Sequence, residues 1–287
     1  MNIIIRPTVP SDTEMCGHIC YEGFKAVSER HGFPPVFPSV EAATRRVRTS
    51  IEHPGIFGLV AEVADKIIGF SFLSERDPIR AVGPIVIDPA VQGHGVGRLL
   101  MEAVLERAEG APGVRLLQDS FNMQSMSLYA SLGFASKELV VAMTGRPMSA
   151  PLAGWDVRHL EEEHVSDCEA LHGRVHGFPR TRELRDTLAT GSPVIALRDG
   201  VVRAYMTVPT FWIANHGVAA TEQDMKALIL GVAHIVQEPL SFLLPVRRGR
   251  LFRWCLAEGL RAIRPMTLMA KGVYHQPNGS YIPSVLY

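Results

Sequence analysis

The stretch VIDPAVQGHGVGRLLMEAVLERA, Val86 to Ala108, decides the reading of this chain. A β-branched run ends in Asp88-Pro89, a turn with glycines at 93, 95 and 97 follows, and a helical pattern begins. Leu100, Ala103, Val104 and Ala108 fall on one helical stripe, and Arg98, Glu102, Glu106 and Glu109 on the opposite face. The first turn of a helix leaves main-chain N–H groups without partners and carries a partial positive charge. A Ser, Thr, Asp or Asn side chain usually answers them. Here Gly97 stands where that cap is expected and offers no side chain. Glycines also let the backbone take unusual φ/ψ and approach a ligand closely, so the turn suits a phosphate or pyrophosphate held by main-chain donors. Read alone, it equally fits a bare tight turn. The nucleotide P-loop is excluded, because Arg98 follows the last glycine without a GxxxxGK frame. The dinucleotide fingerprint GxGxxG is excluded too, since the spacing is GxGxG. Pro84 cannot donate to a ladder, which predicts a bulge or an edge in the preceding strand.

Working outward, a strand is predicted over 2–6 and a helix over about 12–29. A proline-rich loop, HGFPPVFPS, leads to a hairpin turning near Asp65-Lys66. Strand 82–88 and helix 98–109 flank the glycine turn. Strand 114–119, a helix over about 123–132 and strand 134–143 complete a mixed α/β half. TGRPMSAPLAG, Thr144 to Gly154, reads as a linker and places one domain at 1–146 and another at 152–287. The second half can be laid on the first. Arg6 precedes Cys16 by ten residues as Arg158 precedes Cys168, and Asn122 precedes Gly133 by eleven as Arg248 precedes Gly259. The offset shrinks from 152 to 126 between those anchors, so the first copy holds extra residues, some of them in the proline-rich loop. A diverged duplication is expected.

With 287 residues, 47% of them hydrophobic, the chain can build two cores. Lys+Arg and Asp+Glu both total 29, so no basic excess points to nucleic acid or a membrane surface. The first twenty residues carry Arg6, Asp12 and Glu14 and do not read as a signal peptide. The charge-free run Ala204 to Thr221 contains Pro209, Asn215, His216 and Gly217 and reads as strand and loop rather than a span. Cys16, Cys20, Cys168 and Cys255 lack metal-ligand spacing, so buried free thiols, no metal site and a cytoplasmic setting are expected.

Gln92-Gly93-His94-Gly95-Val96-Gly97 resembles the Q/R-x-x-G-x-G/A signature of the GNAT superfamily of acetyl-CoA-dependent N-acetyltransferases. NMQSMSLYASLGF, Asn122 to Phe134, resembles the N-x-x-(A/S)-x-x-L-Y-x-x-x-G-F segment of the same family. The resemblance covers residues 1–143 and implies a GNAT fold, an α/β architecture with a mixed sheet. It further implies that main-chain groups of Ile85, Val86 and Ile87 pair with the pantetheine arm of acetyl-CoA. Amides from Gly93 through His94, Gly95, Val96 and Gly97 to Arg98, next to Gln92, would cradle its pyrophosphate. Asn122 would hydrogen-bond the pantetheine region, and Tyr129 would protonate the departing thiolate. The residues themselves also allow Asn122 as a helix N-cap and Tyr129 as a core tyrosine. His94 is expected to be solvated.

The acceptor must be a neutral amine, so its proton has to leave. Some relatives carry a glutamate where this chain has Leu117. Gln118 and Asp119 follow it; Asp119, Glu22, Glu75 and the terminal carboxylate of Tyr287 are the candidates, and no base is assigned. In the second half the turn maps onto Val218 to Gln223, without glycine and with Glu222 where the pyrophosphate would lie; Asn122 maps to Arg248 and Tyr129 to Cys255. A second, degenerate GNAT-like domain without a cofactor site is expected. Arg247 to Arg250, RRGR, reads as solvated, and Trp212, Trp254, Phe242 and Phe252 as core. The chain therefore reads as an N-acetyltransferase, with a non-catalytic acyl-CoA-binding module as the alternative. A small-molecule amine is favoured over a protein as acceptor, with no nucleic-acid or membrane partner; the oligomeric state, a homodimer included, stays open.

Overall fold

In the computed structural model, which describes residues 2–286, the spacings above become two runs of one element order. The first run is β1 (Ile4–Pro7), α1 (Thr13–Arg30), α2 (Val40–Glu52), β2 (Ile56–Val63), β3 (Lys66–Ser74), β4 (Arg80–Ile87), α3 (Val96–Arg107), β5 (Gly113–Asp119), α4 (Met123–Ser131) and β6 (Ala135–Gly145). The second is β7 (Asp156–His159), α5 (Val165–His176), α6 (Thr181–Thr190), β8 (Val194–Arg198), β9 (Val201–Met206), β10 (Gly217–Ala219), α7 (Glu222–Ile235), β11 (Leu240–Pro245), α8 (Gly249–Ala257) and β12 (Arg261–Gly272), with an added strand β13 (Ser280–Ile282). The expected offsets recur in the element starts: 152 from α1 to α5, and 126 from α3 to α7, α4 to α8 and β6 to β12. The duplication is thus visible element by element. The charge-free run ending at Thr221 is β9, a loop, β10 and a helix cap. Among the described residues, no helix is long and apolar enough to cross a membrane.

The first compact unit runs to Val114 and adds Phe121–Gly133. Its strands lie in the order β1-β2-β3-β4, antiparallel throughout. Cys16, Ile19, Cys20 and Gly23, spaced three, one and three residues apart, lie on one buried stripe of α1. Gly17 and Gly23 let that helix come close: a Cβ there would lie 2.2 Å from Thr44 Oγ1 of α2 and 2.3 Å from Val86 Cγ1 of β4. The β2–β3 hairpin turns on Ala64 and Asp65, both at positive φ, one residue earlier than expected. The β8–β9 hairpin turns on Asp199 and Gly200 in the same way. In β4 the register against β3 slips between Val82 and Ile85, around Gly83 and the cis-linked Pro84, which is the bulge the proline predicts.

The second unit comprises Arg115–Ser120 and the chain from Phe134 onward. One sheet orders β13-β10-β9-β8-β7. In the other, β12 lies between β5 and β6, and β6 lies between β12 and β11. The sixth strand of each copy thus pairs with the fifth strand of the other. The stretch after Gly145 is free of helix and strand until Asp156, but the hydrogen bonds of β6 tie it to β11 and β12, so the compact units do not part there. Phe242 is fully buried, and Phe252 and Trp254 pack against the same core, as read from the sequence. Arg247 is exposed, as expected, while Arg248 is half-buried. Arg247 pairs with buried Glu138, and Arg248 donates to main-chain carbonyls.

All four cysteines are free and buried, and burial pushes each thiol up to about 12. The second unit also buries His172 and His176 as a stacked pair, ring centroids 4.4 Å apart. One ring nitrogen of His172 meets the Phe178 carbonyl at 2.7 Å. Burial, then the nearby Arg180 charge, lowers His172 to about 3, and burial drives His176 down as well. Both are therefore neutral in the folded chain, while the unfolded chain protonates them below about pH 6.5. Unfolded chains bind the extra protons, so stability falls as pH drops from about 6.5 toward 3, by up to about 1.4 kcal/mol per pH unit for each group. Urea unfolding between pH 7 and pH 4 is expected to show this slope, and His172→Asn to reduce it by about one proton.

Candidate functional site

The last three residues of β4 pair with β3 as Ile85 with Ser71, Val86 with Phe70 and Ile87 with Gly69. Asp88 then caps a short turn by accepting from the Ala90 amide at 2.9 Å. Gln92 folds back on the strand, its Nε2 donating to the Ile87 carbonyl at 3.2 Å. This side chain ties the entrance of the loop to the end of β4. His94 is exposed, as expected, and its Nδ1 lies 3.3 Å from the Val91 carbonyl and 3.2 Å from that of Gln92.

Gly93 and Gly95 sit at φ 86° and 82°, in the left-handed region that a Cβ disfavours. Gly95, not Gly97, is the N-cap of α3, and it supplies no side-chain hydrogen bond. Gly97 belongs to the first helical turn. A Cβ there would meet Leu128 Cδ2 of α4 at 3.5 Å and Ile87 Cγ1 at 3.7 Å, ordinary contacts. At Gly93 and Gly95 a Cβ would meet nothing within 4 Å. The Gly95 carbonyl accepts from the amides of Arg98 and Leu99 at 3.0 and 3.2 Å. The amide of Arg98, expected among the free donors, is therefore already in use. The five amides from Gly93 to Gly97 donate to no acceptor among the described residues. Five unused donors beside a helix N-terminus, at an open surface, could hold an anion, with the positive end of the dipole behind it.

The neighbouring helix α4 is set against this turn. The Arg98 guanidinium donates to Ser131 Oγ at 2.7 Å and lies 3.6 Å from Glu102. Asn122 is its N-cap, Oδ1 accepting from the Ser125 amide at 3.2 Å, and its NH2 group keeps no partner among the described residues. Tyr129 is the one buried residue of the helix, 6% exposed, among half-buried and exposed neighbours. Gly133 follows at φ 89°, and its counterpart Gly259 closes α8 at φ 87°. The contact of Arg98 with Ser131 was not foreseen, because the pair is far apart in sequence and neither residue type marks the other.

The options for a base are mostly committed elsewhere. Glu75 takes both arms of Arg107 at 2.9 and 3.0 Å. Asp119 is buried against Arg264, with one contact at 2.6 Å. Leu117 and Gln118 are buried on β5, and Glu22 is half-buried on α1. Tyr287 lies outside the described residues.

The second copy has lost the turn altogether. Asp88 to Gly95 separate β4 from α3, whereas only Ala220 and Thr221 separate β10 from α7. Val218 lies inside β10, and Glu222 opens the helix. Thr221 caps α7 with its own side chain, Oγ1 accepting from the Asp224 amide at 3.2 Å. One donor at the mouth of α7, the Asp224 amide, is thus answered by a capping side chain that α3 lacks.

Comparison with known proteins agrees with this geometry. The whole chain shares the fold of a tandem GNAT protein from the clavulanic acid biosynthesis pathway, with a TM-score of 0.59 over 99% of this chain and all of that one, at 12% identity. Residues 25–134 match the acetyltransferase (GNAT) family. Mycothiol acetyltransferase from Nocardia farcinica is 36% identical over 110 residues, 36% of each chain. Phosphinothricin N-acetyltransferase from Alcaligenes faecalis is 29% identical over 142 residues, 47% of this chain and 68% of that one. The chain spans about a third of the length of the mycothiol acetyltransferase that it matches.

The two glycine roles separate by substitution. Gly95→Ala forces a Cβ into the left-handed region and is expected to lower stability by about 1–2 kcal/mol. Gly97→Ala, in a helical turn with room for a methyl, is expected to leave stability unchanged or raise it by about 0.5–1 kcal/mol. Urea denaturation of both variants measures the difference.

Proposed function

We propose that the chain is an acetyl-CoA-dependent N-acetyltransferase whose cofactor site lies in the first copy and whose acceptor is a small-molecule primary amine. The observation that carries this reading is the row of five unpartnered amides at Gly93 to Gly97. They fit a diphosphate: the donors are consecutive and unused, the dipole favours negative charge, and the surface at Gly93 and Gly95 is open. Acetyl-CoA would bring an activated thioester. Main-chain groups of Ile85, Val86 and Ile87 are suited to pair with an extended amide-bearing arm as an added strand would. Gln92 holds the loop to that strand, Arg98 holds α3 to α4, and the spare NH2 of Asn122 is available to an acceptor on the arm.

Transfer requires a neutral amine, an N–C bond formed at the acyl carbon, and a C–S bond broken with a proton delivered to sulfur. Tyr129 is the proposed donor of that proton. Its place as the buried side chain of α4 supports the role. The printed name of the Alcaligenes relative, an N-acetyltransferase, supports an amine acceptor. The repeats at 1–146 and 152–287 are proposed as the units of duplication, distinct from the compact units that strand exchange produces.

A second reading, an acyl-CoA-binding module without turnover, is favoured by Leu117 and by the engagement of Asp119 with Arg264, which leave no carboxylate base on β5. Tyr129→Phe separates the two. For an enzyme the variant binds CoA with unchanged Kd, and kcat falls by about 10²-fold or more. For a binding module the wild-type chain releases no CoA beyond the solvent rate across an amine panel, and the variant matches it.

A further inference from the structure

The second copy has a strand that the first copy lacks, and it lies where the first copy is proposed to take its cofactor. β13 pairs antiparallel with β10, Gly217 with Ile282, Val218 with Tyr281 and Ala219 with Ser280. It occupies the edge of β10 away from β9, and it also packs beside β11. β10 and β11 are the counterparts of β4 and β5. Residues Gly217–Ala219, like Ile85–Ile87, are the last three before the connection to the next helix. The main chain of Ser280–Ile282 therefore makes, on β10, the kind of ladder proposed for the pantetheine arm on β4.

The side chains repeat the substitution. The counterpart of Asn122 is Arg248, and its guanidinium donates to the carbonyls of Pro277, at 3.2 Å, and of Gly279. The residue at the arm-holding position thus holds a peptide instead. The Asn278 amide donates to the Val175 carbonyl at 2.8 Å, and Tyr281 donates to buried Glu138 at 3.2 Å. Arg180 donates to Ser284 Oγ at 2.8 Å, and the Val285 amide to the Ile213 carbonyl at 2.9 Å. Ser280, Tyr281 and Ile282 are each 1% exposed. Gly279, at φ 152°, lets the segment enter: a Cβ there would lie 2.9 Å from the Ala219 carbonyl. The counterpart of Tyr129 is Cys255, buried with its thiol pushed up to about 12 and unfit to protonate a leaving group at neutral pH.

We propose that Pro277–Ile282 is the permanent occupant of the second copy's acyl-CoA cleft, a covalently attached stand-in for the pantetheine arm. The chain then takes one coenzyme, in the first copy only. This inference rests on the proposed function of the first copy for its analogy, and on the β10–β13 ladder and Arg248 for its substance.

Amide hydrogen exchange on the full chain, with and without CoA, together with calorimetric titration, tests it. The expected result is one CoA per chain, with new protection at Gly93–Gly97. Gly217–Ala219 and Ser280–Ile282 are expected to be protected already without ligand and unaltered by it. Arg248→Ala is expected to speed exchange over 277–282 by about tenfold or more while the Kd for CoA stays unchanged. A second equivalent of CoA, a CoA-dependent change at Gly217–Ala219, or free exchange of Ser280–Ile282 in the unliganded chain overturns the proposal, as does an Arg248→Ala chain that exchanges like wild type. If CoA leaves Gly93–Gly97 untouched and gives no heat, the function proposed for the first copy falls, while a protected, Arg248-dependent β13 still supports the internal occupant.

Discussion

The structure of the first copy turns on the unsatisfied donors ahead of α3. A helix N-terminus needs something to accept from its amides, and Gly95 at φ 82° supplies nothing. The amides from Gly93 to Gly97 donate to no acceptor among the described residues, so the turn leaves donors open rather than consuming them. The bulge at Gly83-Pro84, the fold-back of Gln92 onto Ile87 and the pinning of Arg98 to Ser131 all fix that turn between β4 and α4. These contacts hold the geometry steady without occupying the amides themselves.

The second copy answers the same physical demand from its own chain. Thr221 and Asp224 close the helix end within two residues of β10. The exposed edge of β10, which would otherwise leave main-chain groups unpaired, is covered by β13. One architecture therefore differs at one point: an uncapped helix mouth in the first copy, and one capped by Thr221 with its strand edge covered by β13 in the second. The pairing of β6 with β11 and of β12 with β5 makes the two copies interdependent, since the sixth strand of each is hydrogen-bonded to the other's fifth.

Local signals were legible where the physics is local. The glycine turn, the bulge at Pro84, the hairpins, the buried cysteines and the repeat offsets depend on neighbours a few residues apart, and each is present. The cap was misplaced by two residues, because glycine spacing cannot say which glycine takes the left-handed conformation. Arg247 and Arg248 were read as solvated because a short basic run usually is. Their partners, Glu138 and the carbonyls of Pro277 and Gly279, come from distant parts of the chain.

By itself, the sequence determined the element order, its duplication, and a helix mouth built from glycine instead of a capping side chain. Those follow from periodicity and from what each residue type can do to its own backbone. Tertiary structure alone decided which strands exchange, which arginines are engaged, and that residues 280–282 lie along β10. Those are pairings between segments far apart in the chain, and hydrogen-bonding edges accept any strand whose geometry fits, so no local pattern names the partner.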